Sequence, residues 1–517
     1  MEEASSTSST SSESDQAVVL FYQYFALSSS SSSPPKQTFE TWWKDVKRSV
    51  ETLHDHQQRL CNDLNLTGRI LIAEEGINGT VAGSRGNVEA YIHEMKKYHH
   101  PQELFPNRLD DNNKQAKRQR PSDGDCLFRN VDWKTSFVKG NKNVSGNDSV
   151  KPLFPDLKIC IVKEIVSTGG LVDVHDIPVE TGRHLSPEEF HEMLTAYASE
   201  ENHGKVNDNT ENKLPPIALI DVRNTFEHNI GHFVNPQTGE KALNPEMTTF
   251  SSFDKFCQQH ADDLKDKQVL MYCTGGIRCE KASIMLKRKG VNNVAQLSGG
   301  IHRYLERYGK DGFFKGLNFT FDKRVAIKPD MSSQRTSLDD GKSESSTKAE
   351  YEVVGTCVEC TAPFDELDGS RVCTVCRDLV LVCRNCQSSL LEYHCSRHAA
   401  WKDCYFSFLE MFDSEQLCDQ KLKLQKIRES LELLPNTKNT RRALARQIDK
   451  VEHRISELDT GKGTVQNNAP RRCRSCLEPN GVCDGRCWGF WKASSSSSST
   501  LDKGIQKGRR SNQCPSL

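Results

Sequence analysis

The chain contains 517 residues, with a formal net charge of −1 and a mean hydropathy of −0.65. This length exceeds what a single hydrophobic core accommodates, so two to four domains are expected. The near-neutral charge excludes a global electrostatic attraction to nucleic acid or membrane, so any such binding requires a local patch. No apolar run reaches the roughly 18 residues of a transmembrane helix, which argues against a membrane-spanning class.

The first predicted domain covers residues 17–185 and alternates strands with helices. Its strands are the β-branched and aromatic run "AVVLFYQYFAL", the strand–turn–strand "GRILIAEEGINGTVAG" and the later "DLKICIVKEIV". Helical stretches near 39–62 and 86–98 complete an α+β sandwich, interrupted by a polar insert at about 107–124. The basic run "KQAKRQR" in this insert is either a solvated linker or a nuclear signal or RNA contact.

A second domain is predicted at residues 214–322. "PPIALIDVR", "KQVLMYC" and "NVAQLSGG" have the composition of buried strands, and helical segments alternate with them. This alternation predicts an α/β domain, with a parallel sheet covered by helices on both faces. Ligands of such sheets bind beyond the carboxyl ends of the strands, which is where Cys273 is expected to lie.

A short loop follows Cys273 and precedes a helix that is predicted to start near Glu280. The residues of the loop are Thr274, Gly275, Gly276, Ile277 and Arg278. Glycines allow successive N–H groups to point inward, and the helix N-terminus adds partial positive charge. Such a cradle is expected to lower the pKa of Cys273 and make its thiolate a nucleophile. The cradle is one residue shorter than the loop of cysteine phosphatases, which favours a smaller occupant such as a terminal sulfur atom.

These residues resemble the rhodanese family, in which a cysteine on a six-residue loop carries a persulfide. "LIDVRNTFEHNIGHF" and "QLSGGIHRYLE" are similar to the first-strand and closing segments of the family, so the resemblance covers about 215–310. "CTGGIRCEK" together with "AEEGINGTVAG" resembles a narrower group, over roughly 17–400, that includes the bacterial oxygen-dependent tRNA wobble-uridine hydroxylases. This resemblance implies a ferredoxin-like first domain, Cys273 as the persulfide-bearing nucleophile, and Arg278 as a charge at the end of the loop.

Three more residues of the second domain have structural or open roles. Cys279 also matches the motif of the narrower group, and it either resolves a persulfide into a disulfide or packs at the start of the helix. Asp221 and Arg223 are expected to hold the sheet edge and its loops together without taking part in chemistry.

A cysteine-rich, metal-binding module is predicted at residues 351–405. Its four pairs of ligands at two-residue spacing are Cys357 and Cys360, Cys373 and Cys376, Cys383 and Cys386, and Cys395 and His398. Eight such ligands suffice for two tetrahedral zinc sites, and metal binding supplies folding free energy that the apolar content of this stretch does not. The spacing leaves the pairing of the ligands undecided, and His394 is an alternative to His398 as the last ligand.

The remaining segments are a helical hairpin, a further cysteine cluster and polar termini. Apolar residues at helical spacing predict the hairpin at 409–460. The stretch 471–491 is a candidate third zinc site, with Cys473, Cys476, Cys483 and Cys487. Residues 1–16 and 493–517 are expected to be disordered.

Three functions are compatible with these features. The leading hypothesis is an enzyme that acts on tRNA through a Cys273 persulfide or thiolate, with 5-hydroxylation of the wobble uridine implied by resemblance. The second is general sulfur transfer from thiosulfate or a persulfide donor, and the third is a zinc-supported binding module without catalysis. Basic segments at 114–120 and 438–446 fit RNA binding. No organic cofactor motif is recognised.

The cysteines also indicate a cellular compartment. Many of the 20 cysteines form CxxC pairs in a long chain whose acidic, serine-rich beginning does not resemble a secretory signal. These cysteines are therefore interpreted as metal ligands in a reducing environment and not as disulfides. The cytoplasm is the expected compartment, with organelle targeting left open.

Overall fold

The computed structural model describes residues 16–25, 39–98, 127–138, 153–154, 156–198, 215–236, 238–247, 249–319, 326–327, 352–369, 371–390, 392–432 and 437–465. The chain separates into two compact units. In the described part, the first unit runs from residue 16 to residue 327 without 229–231, and the second consists of 352–465 with those three residues. None of the described helices is long and apolar enough to cross a membrane.

The first unit begins with a five-stranded sheet. Its elements are β1 (Gln16–Tyr24), α1 (Phe39–Asp63), β2 (Thr67–Ala73), β3 (Gly76–Ser84), α2 (Arg85–Lys96), β4 (Lys134–Val138) and β5 (Leu157–Ile161). The strand order is β4-β1-β3-β2-β5, and every neighbouring pair is antiparallel except β2 and β5. The first four strands have the ferredoxin-like order, which confirms the predicted α+β sandwich.

Strand β1 presents different residues to the two faces of this sheet because successive side chains alternate. Phe21 is fully buried in the core with both helices, and its ring lies 5.8 Å from that of Tyr91 on α2. Leu20 and Tyr22 therefore point to the opposite face. That face is the one that covers the candidate active-site loop.

The rest of the first unit is built on a four-stranded sheet. Its elements are α3 (Ile177–Glu180), β6 (Arg183–Leu185), α4 (Pro187–Ala198), β7 (Ile217–Asp221), α5 (Thr225–Ile230), β8 (Gly231–Phe233), α6 (Phe253–Leu264), β9 (Gln268–Tyr272), α7 (Ile277–Lys287), β10 (Val294–Leu297), α8 (Gly300–Tyr308), β11 (Phe314–Gly316), β12 (Asn318–Phe319) and β13 (Ala326–Ile327). The order is β6-β10-β9-β7, and all three pairings are parallel. Helices α4 and α8 share one core cluster with these strands, and α7 packs on β9 and β10. The predicted α/β domain is thereby confirmed.

Two boundaries drawn from the sequence are wrong. The first domain is predicted to end at residue 185, but β6 at Arg183–Leu185 pairs in parallel with β10 and is an edge strand of the second sheet. The helix after Cys273 is predicted to start near Glu280, but α7 begins at Ile277 after Gly276. The first error arises because the pairing of β6 with a distant strand leaves little signal in local composition. The second arises because the local composition does not mark where the first turn of α7 begins.

The second unit contains the cysteine-rich module and the helical hairpin. Its helices are α9 (Arg384–Ser389), α10 (Ser414–Ser430) and α11 (Lys438–Asp459). Leu417 and Leu424 of α10 are fully buried against Leu444 and Val451 of α11, which confirms the predicted hairpin. The polar insert with "KQAKRQR", the cluster at 471–491, the tail from 493 and residues 1–15 lie outside the described residues.

Candidate active site and metal clusters

The loop between β9 and α7 holds Cys273 as a buried hydrogen-bond acceptor. Cys273 directly follows the last residue of β9, and its side chain is completely inaccessible to solvent. The backbone N–H of Gly276 donates to Cys273 Sγ at 3.1 Å. Gly276 has φ of 101°, in the left-handed region that favours glycine, so its position as N-cap of α7 depends on the absence of a side chain. The inward-facing amide that the sequence predicts is therefore present.

The N-terminus of α8 closes the loop from the other side. The N–H groups of Ile301 and His302 donate to the carbonyl oxygens of Cys273 and Thr274, at 3.0 and 3.1 Å. A Cβ atom on Gly300 would lie 2.5 Å from the oxygen of Cys273, so only glycine allows this approach. The "SGG" segment before α8 thus fixes the backbone of the Cys273 loop.

The surroundings of Cys273 favour its thiolate. Burial alone raises the pKa of this thiol, but a hydrogen bond from the Cys279 thiol, the charge of Arg278 and the backbone N–H groups of Arg278 and Gly276 outweigh burial. The pKa of Cys273 consequently falls from 9.0 to about 6. Since the thiolate is the nucleophilic form of cysteine, this environment favours the nucleophilic form of Cys273 at neutral pH.

Cys279 lies in the first turn of α7 and supports that thiolate. Burial and the neighbouring Cys273 charge raise the pKa of Cys279 well above its usual value, so its thiol keeps the proton that it donates. The sequence left open whether Cys279 packs or resolves a persulfide. The opposite pKa shifts of the two thiols are consistent with Cys279 as a hydrogen-bond donor to Cys273.

Arg278 is held in place by an acidic residue that the sequence analysis did not identify. Its guanidinium donates from Nη1 to Glu227 Oε2 at 2.8 Å and from Nη2 to Glu227 Oε1 at 2.9 Å. The hydroxyl of Thr274 donates to the same carboxylate at 3.3 Å. Arg278 is thus a fixed, paired charge behind the loop and not a free side chain at its rim.

Strands of the N-terminal sheet cover the loop. A Cβ atom on Gly275 would lie 3.0 Å from Leu20 Cδ2, and one on Gly276 would lie 3.1 Å from Tyr22 Oη. The ammonium group of Lys134 on β4 is buried and pairs with Asp132 at 2.6 Å. Burial by the N-terminal sheet explains why Cys273 is inaccessible, and no local motif pointed to Tyr22 or Lys134 as its neighbours.

A buried cation on α7 joins this helix to the N-terminal half of the unit. Lys281 Nζ donates to Glu75 Oε2 at 2.7 Å, to Glu164 Oε2 at 3.1 Å and to the carbonyl oxygen of Val166 at 2.9 Å. Glu75 follows β2, within the "AEEGINGTVAG" segment, and also accepts from the N–H of Ile165 at 2.7 Å. The side chain of Lys281 is fully buried, so these partners satisfy all three of its ammonium protons.

Asp221 and Arg223 form a second buried ion pair beside β7. Arg223 donates to the two carboxylate oxygens of Asp221 at 2.9 and 2.7 Å, and His228 Nδ1 lies 3.0 Å from Asp221 Oδ2. Burial raises the pKa of Asp221, but the Arg223 guanidinium and the His228 hydrogen bond outweigh burial and hold that pKa well below its usual range. These contacts agree with the structural role that the sequence suggests for the pair.

The eight predicted metal ligands of the second unit form two groups. In each group the ligand atoms all lie within 4.8 Å of one another, and the groups are Cys357, Cys360, Cys383 and Cys386, and Cys373, Cys376, Cys395 and His398. The first ligand pair along the chain therefore joins the third, and the second joins the fourth. This interleaved pairing could not be read from the spacing. Both clusters could hold metal ions.

The two histidines near the end of the module have different environments. His398 Nδ1 lies 3.2 Å from Cys395 Sγ and 3.5 Å from Cys373 Sγ. His394 is buried outside the cluster, with its Nε2 atom 3.2 Å from the carbonyl oxygen of Tyr405. The structure therefore brings His398 to the ligands and leaves His394 in a packing role. Cys473, Cys476, Cys483 and Cys487 lie outside the described residues.

Comparison with known proteins matches three consecutive parts of the chain. Residues 16–165 match the UPF0176 acylphosphatase-like domain, residues 203–307 match the rhodanese-like domain, and residues 315–400 match the family described as "Rhodanase C-terminal". The matches end before the helical hairpin. Their order agrees with the sandwich, the parallel sheet and the cysteine-rich module described above.

Individual relatives cover about two thirds of the chain. Rhodanese-like domain-containing protein 6 of Arabidopsis thaliana is 32% identical over 341 residues, 65% of this chain but 48% of the relative, so this chain spans about half of that protein. The tRNA uridine(34) hydroxylase of Corynebacterium efficiens is 31% identical over 346 residues, 66% of this chain and 86% of that protein. A solved rhodanese-related protein from Thermoplasma volcanium is 20% identical to this chain. The match covers 24% of this chain and 91% of that protein, at a TM-score of 0.16, so the family assignment does not rest on it.

Proposed function

The chain belongs to the tRNA uridine(34) hydroxylase family of rhodanese-domain proteins, and from this premise we propose that it hydroxylates the wobble uridine of tRNA with Cys273 as the reacting thiolate. The observation that carries the proposal is the buried thiol of Cys273, whose pKa falls to about 6 and whose Sγ atom accepts the N–H of Gly276 at 3.1 Å. The resemblance noted from the sequence implies carbon 5 of the base as the position hydroxylated and dioxygen as the oxidant.

Each residue of the loop has a part in this proposal. Cys273 is the catalytic residue, and the backbone of Thr274 to Ile277 holds its charge and shapes the pocket. Arg278, paired with Glu227, is a positioning residue that adds positive charge behind the thiolate. The cover formed by Leu20 and Tyr22 keeps water from the sulfur atom, so access of a uridine base requires that this cover open.

The test of this function uses tRNA from cells that lack the endogenous protein. We expect the wild-type chain to restore the hydroxylated wobble uridine, measured by mass spectrometry of tRNA nucleosides, and Cys273→Ala to fail. Cys257→Ala is the matched control because Cys257 is an equally buried thiol on α6, and burial raises its pKa to about 12. Restoration by Cys273→Ala would exclude the thiolate from the reaction, whereas failure of the wild-type chain to restore the nucleoside would favour a binding module.

A second candidate is transfer of sulfur through a persulfide on Cys273. It is favoured by the six-residue loop from Cys273 to Arg278, whose size suits one terminal sulfur atom. The Cys273 thiolate would attack the outer sulfur atom of the donor and break its S–S bond, which releases sulfite from thiosulfate or a thiolate from a protein persulfide. Intact mass after incubation with thiosulfate should show one added sulfur atom that Cys273→Ala lacks, and absence of the adduct in the wild-type chain would exclude this candidate.

Zinc is the metal proposed for the two cysteine clusters. Tetrahedral zinc with Zn–S bonds of about 2.3 Å separates two sulfur ligands by about 3.8 Å, and a sulfur from an imidazole nitrogen by about 3.5 Å. Cys376 and Cys395 have their Sγ atoms 3.8 Å apart, and His398 Nδ1 lies 3.5 Å from Cys373 Sγ, so the donors fit. Bound zinc would supply structural cross-links, since four protein ligands leave no open position. Reduced clusters of this type support the cytoplasm as the proposed compartment.

A further inference from the structure

We propose that the helical hairpin of α10 and α11 binds the phosphate backbone of tRNA with its loop end, defined as residues 426–432 and 437–446 and called the basic end below. This inference rests on the proposed function because it takes tRNA as the polyanion. The hairpin lies beyond residue 400, where the matches to known families end. The basic end therefore lies outside the three matched domains.

The antiparallel packing of the hairpin brings the basic residues of its two helices together. Ser414 Oγ donates to Asp459 Oδ1 at 3.3 Å, and Lys421 pairs with Glu452 at 3.1 Å, so the start of α10 lies beside the end of α11. By the same register, the end of α10 lies beside the start of α11. The hydroxyl of Thr437 donates to the carbonyl oxygen of Leu431 at 2.7 Å and ties the two helices at this end.

Charge is divided sharply between the two ends of the hairpin. The basic end contains two acidic residues and six basic ones, which are Lys426, Arg428, Lys438, Arg441, Arg442 and Arg446. The opposite end, residues 413–425 and 447–459, contains seven acidic and four basic residues. A solvated surface that only needed solubility would mix the two signs, as the surfaces of most helices do. The separation indicates a surface for an anionic partner.

The cations of the basic end are also free of ion pairs. Among the described residues, Lys438, Arg442 and Arg446 are exposed and have no acidic partner within salt-bridge distance. At the opposite end, by contrast, Lys421 pairs with Glu452 and Lys423 pairs with Asp419. Unpaired guanidinium groups can donate two parallel hydrogen bonds to one phosphate, and their binding breaks no internal contact.

The charges of α11 oppose its own helix dipole. The N-terminus of a helix carries partial positive charge, and acidic residues stabilise it. The first turn of α11 contains Lys438 and Arg441 and no acidic residue, and its last turn contains no basic residue. Helix α10 has the favourable arrangement, with Glu415 in its first turn and Arg428 in its last. The cations at the start of α11 therefore do not stabilise the isolated hairpin. A bound phosphate chain would be attracted both by these side chains and by the partial positive charge of the helix N-terminus.

The spacing of these cations forms a line. Lys438, Arg442 and Arg446 follow one another at four-residue intervals, which is about 6 Å of rise for each step along the helix. Residues four apart lie on the same face, so the three side chains project side by side. A line of three cations fits an extended polyanion such as an RNA strand better than a single acidic side chain of a protein.

The test compares two triple variants of the full chain in tRNA binding. The basic-end variant is Lys438→Gln, Arg442→Gln and Arg446→Gln. The control variant is Lys423→Gln, Lys450→Gln and Lys462→Gln, which removes three exposed cations from or just beyond the opposite end. We expect the basic-end variant to bind tRNA about tenfold more weakly or worse, and its salt dependence (log K against log [salt]) to flatten by about 2 to 3 units. The control should change affinity by less than about threefold.

A second readout separates this inference from the proposed function. In the hydroxylation assay the basic-end variant should raise KM for tRNA and leave kcat unchanged, because the lost contacts bind ground state and transition state alike. Equal losses in both triple variants, or no loss in the basic-end variant, would overturn the inference and leave the function intact. If the wild-type chain binds tRNA through the basic end but does not hydroxylate it, the function fails and the binding surface stands. Selective loss of an acidic protein partner, with tRNA affinity unchanged, also counts against the proposal.

Discussion

Lys281 donates to Glu75 at 2.7 Å across 206 residues of sequence, and both side chains are buried. Lys281 lies on α7, directly after the Cys273 loop, and Glu75 lies beside the first sheet. The ion pair therefore links the helix that follows the Cys273 loop to the sheet that covers this loop. Glu164 is a second carboxylate on the same ammonium group, so Lys281 is the shared ion-pair partner of both acidic residues.

Replacement of Lys281 tests this link. We expect Lys281→Met to lower the free energy of unfolding by about 3–5 kcal/mol, because the buried Glu75 and the partly buried Glu164 lose their counter-charge. Adding Glu75→Gln should recover part of that loss. The measurement is chemical denaturation followed by near-ultraviolet circular dichroism. Lys287→Met, at a half-buried site of the same helix, is the control and should cost less than about 1 kcal/mol; an equal cost for both lysines would contradict the assigned role.

The thiol of Cys273 should titrate far below an ordinary cysteine. Its pKa is about 6 in the folded chain, against a usual value of 9.0. Between these values the unfolded chain binds more protons, so the free energy of unfolding should rise with pH from about 6 to 9, and this stabilisation is lost as the pH falls through 6. The ultraviolet absorbance of thiolate, taken as the difference between wild type and Cys273→Ala, reports the midpoint. A midpoint near 9 would show that the amides and Arg278 do not outweigh burial.

Substitutions of Cys279 test which contact lowers the pKa of Cys273. Cys279→Ala removes the hydrogen bond to Cys273 and should raise the pKa of Cys273 toward its usual value, with a matching loss of hydroxylation at neutral pH. Cys279→Ser keeps a donor at nearly the same place and should keep the pKa low. If both variants titrate as the wild type does, the hydrogen bond is unimportant. If both lose activity with the pKa unchanged, Cys279 acts chemically, as a resolving thiol would.

The two histidines of the cysteine-rich module predict different metal contents. Purified wild-type chain should contain about two zinc ions in residues 352–405, and any ion at Cys473 to Cys487 would add to this number. His398→Ala should lose about one of them, because its Nδ1 atom lies among three sulfur ligands. His394→Ala should retain both, since its ring contacts the carbonyl oxygen of Tyr405. Elemental analysis after dialysis against a weak chelator decides the matter, and loss of zinc in His394→Ala alone would reverse the assignment.

The basic first turn of α11 is expected to favour tRNA binding and to lower the stability of the hairpin. Lys438→Glu should stabilise the hairpin by a few tenths of a kcal/mol, up to about 1, because an acidic residue replaces a basic one near the positive end of the helix dipole. The same change should weaken tRNA binding. Thermal unfolding of the full chain and a tRNA titration measure the two effects together. A variant that is less stable than wild type would show that the cation serves the fold.

The sequence by itself determined the local chemistry of this protein. Cys273, the glycines after it and the four ligand pairs of the cysteine-rich module are adjacent in the chain, so covalent spacing alone brings each set together. The strand and helix periodicities likewise indicated both sheets and the hairpin. These features depend on residues that are close together in the chain, so composition and spacing are enough to predict them.

Only the tertiary structure decided which distant residues complete the sites. Glu227 holds Arg278 from 51 residues away, Lys281 meets Glu75 from 206 residues away, and β6 joins the second sheet through backbone hydrogen bonds to β10. The interleaved pairing of the metal ligands was equally hidden, because every ligand pair has the same spacing. Such contacts follow from how whole elements pack, and many different pairings satisfy the same local pattern.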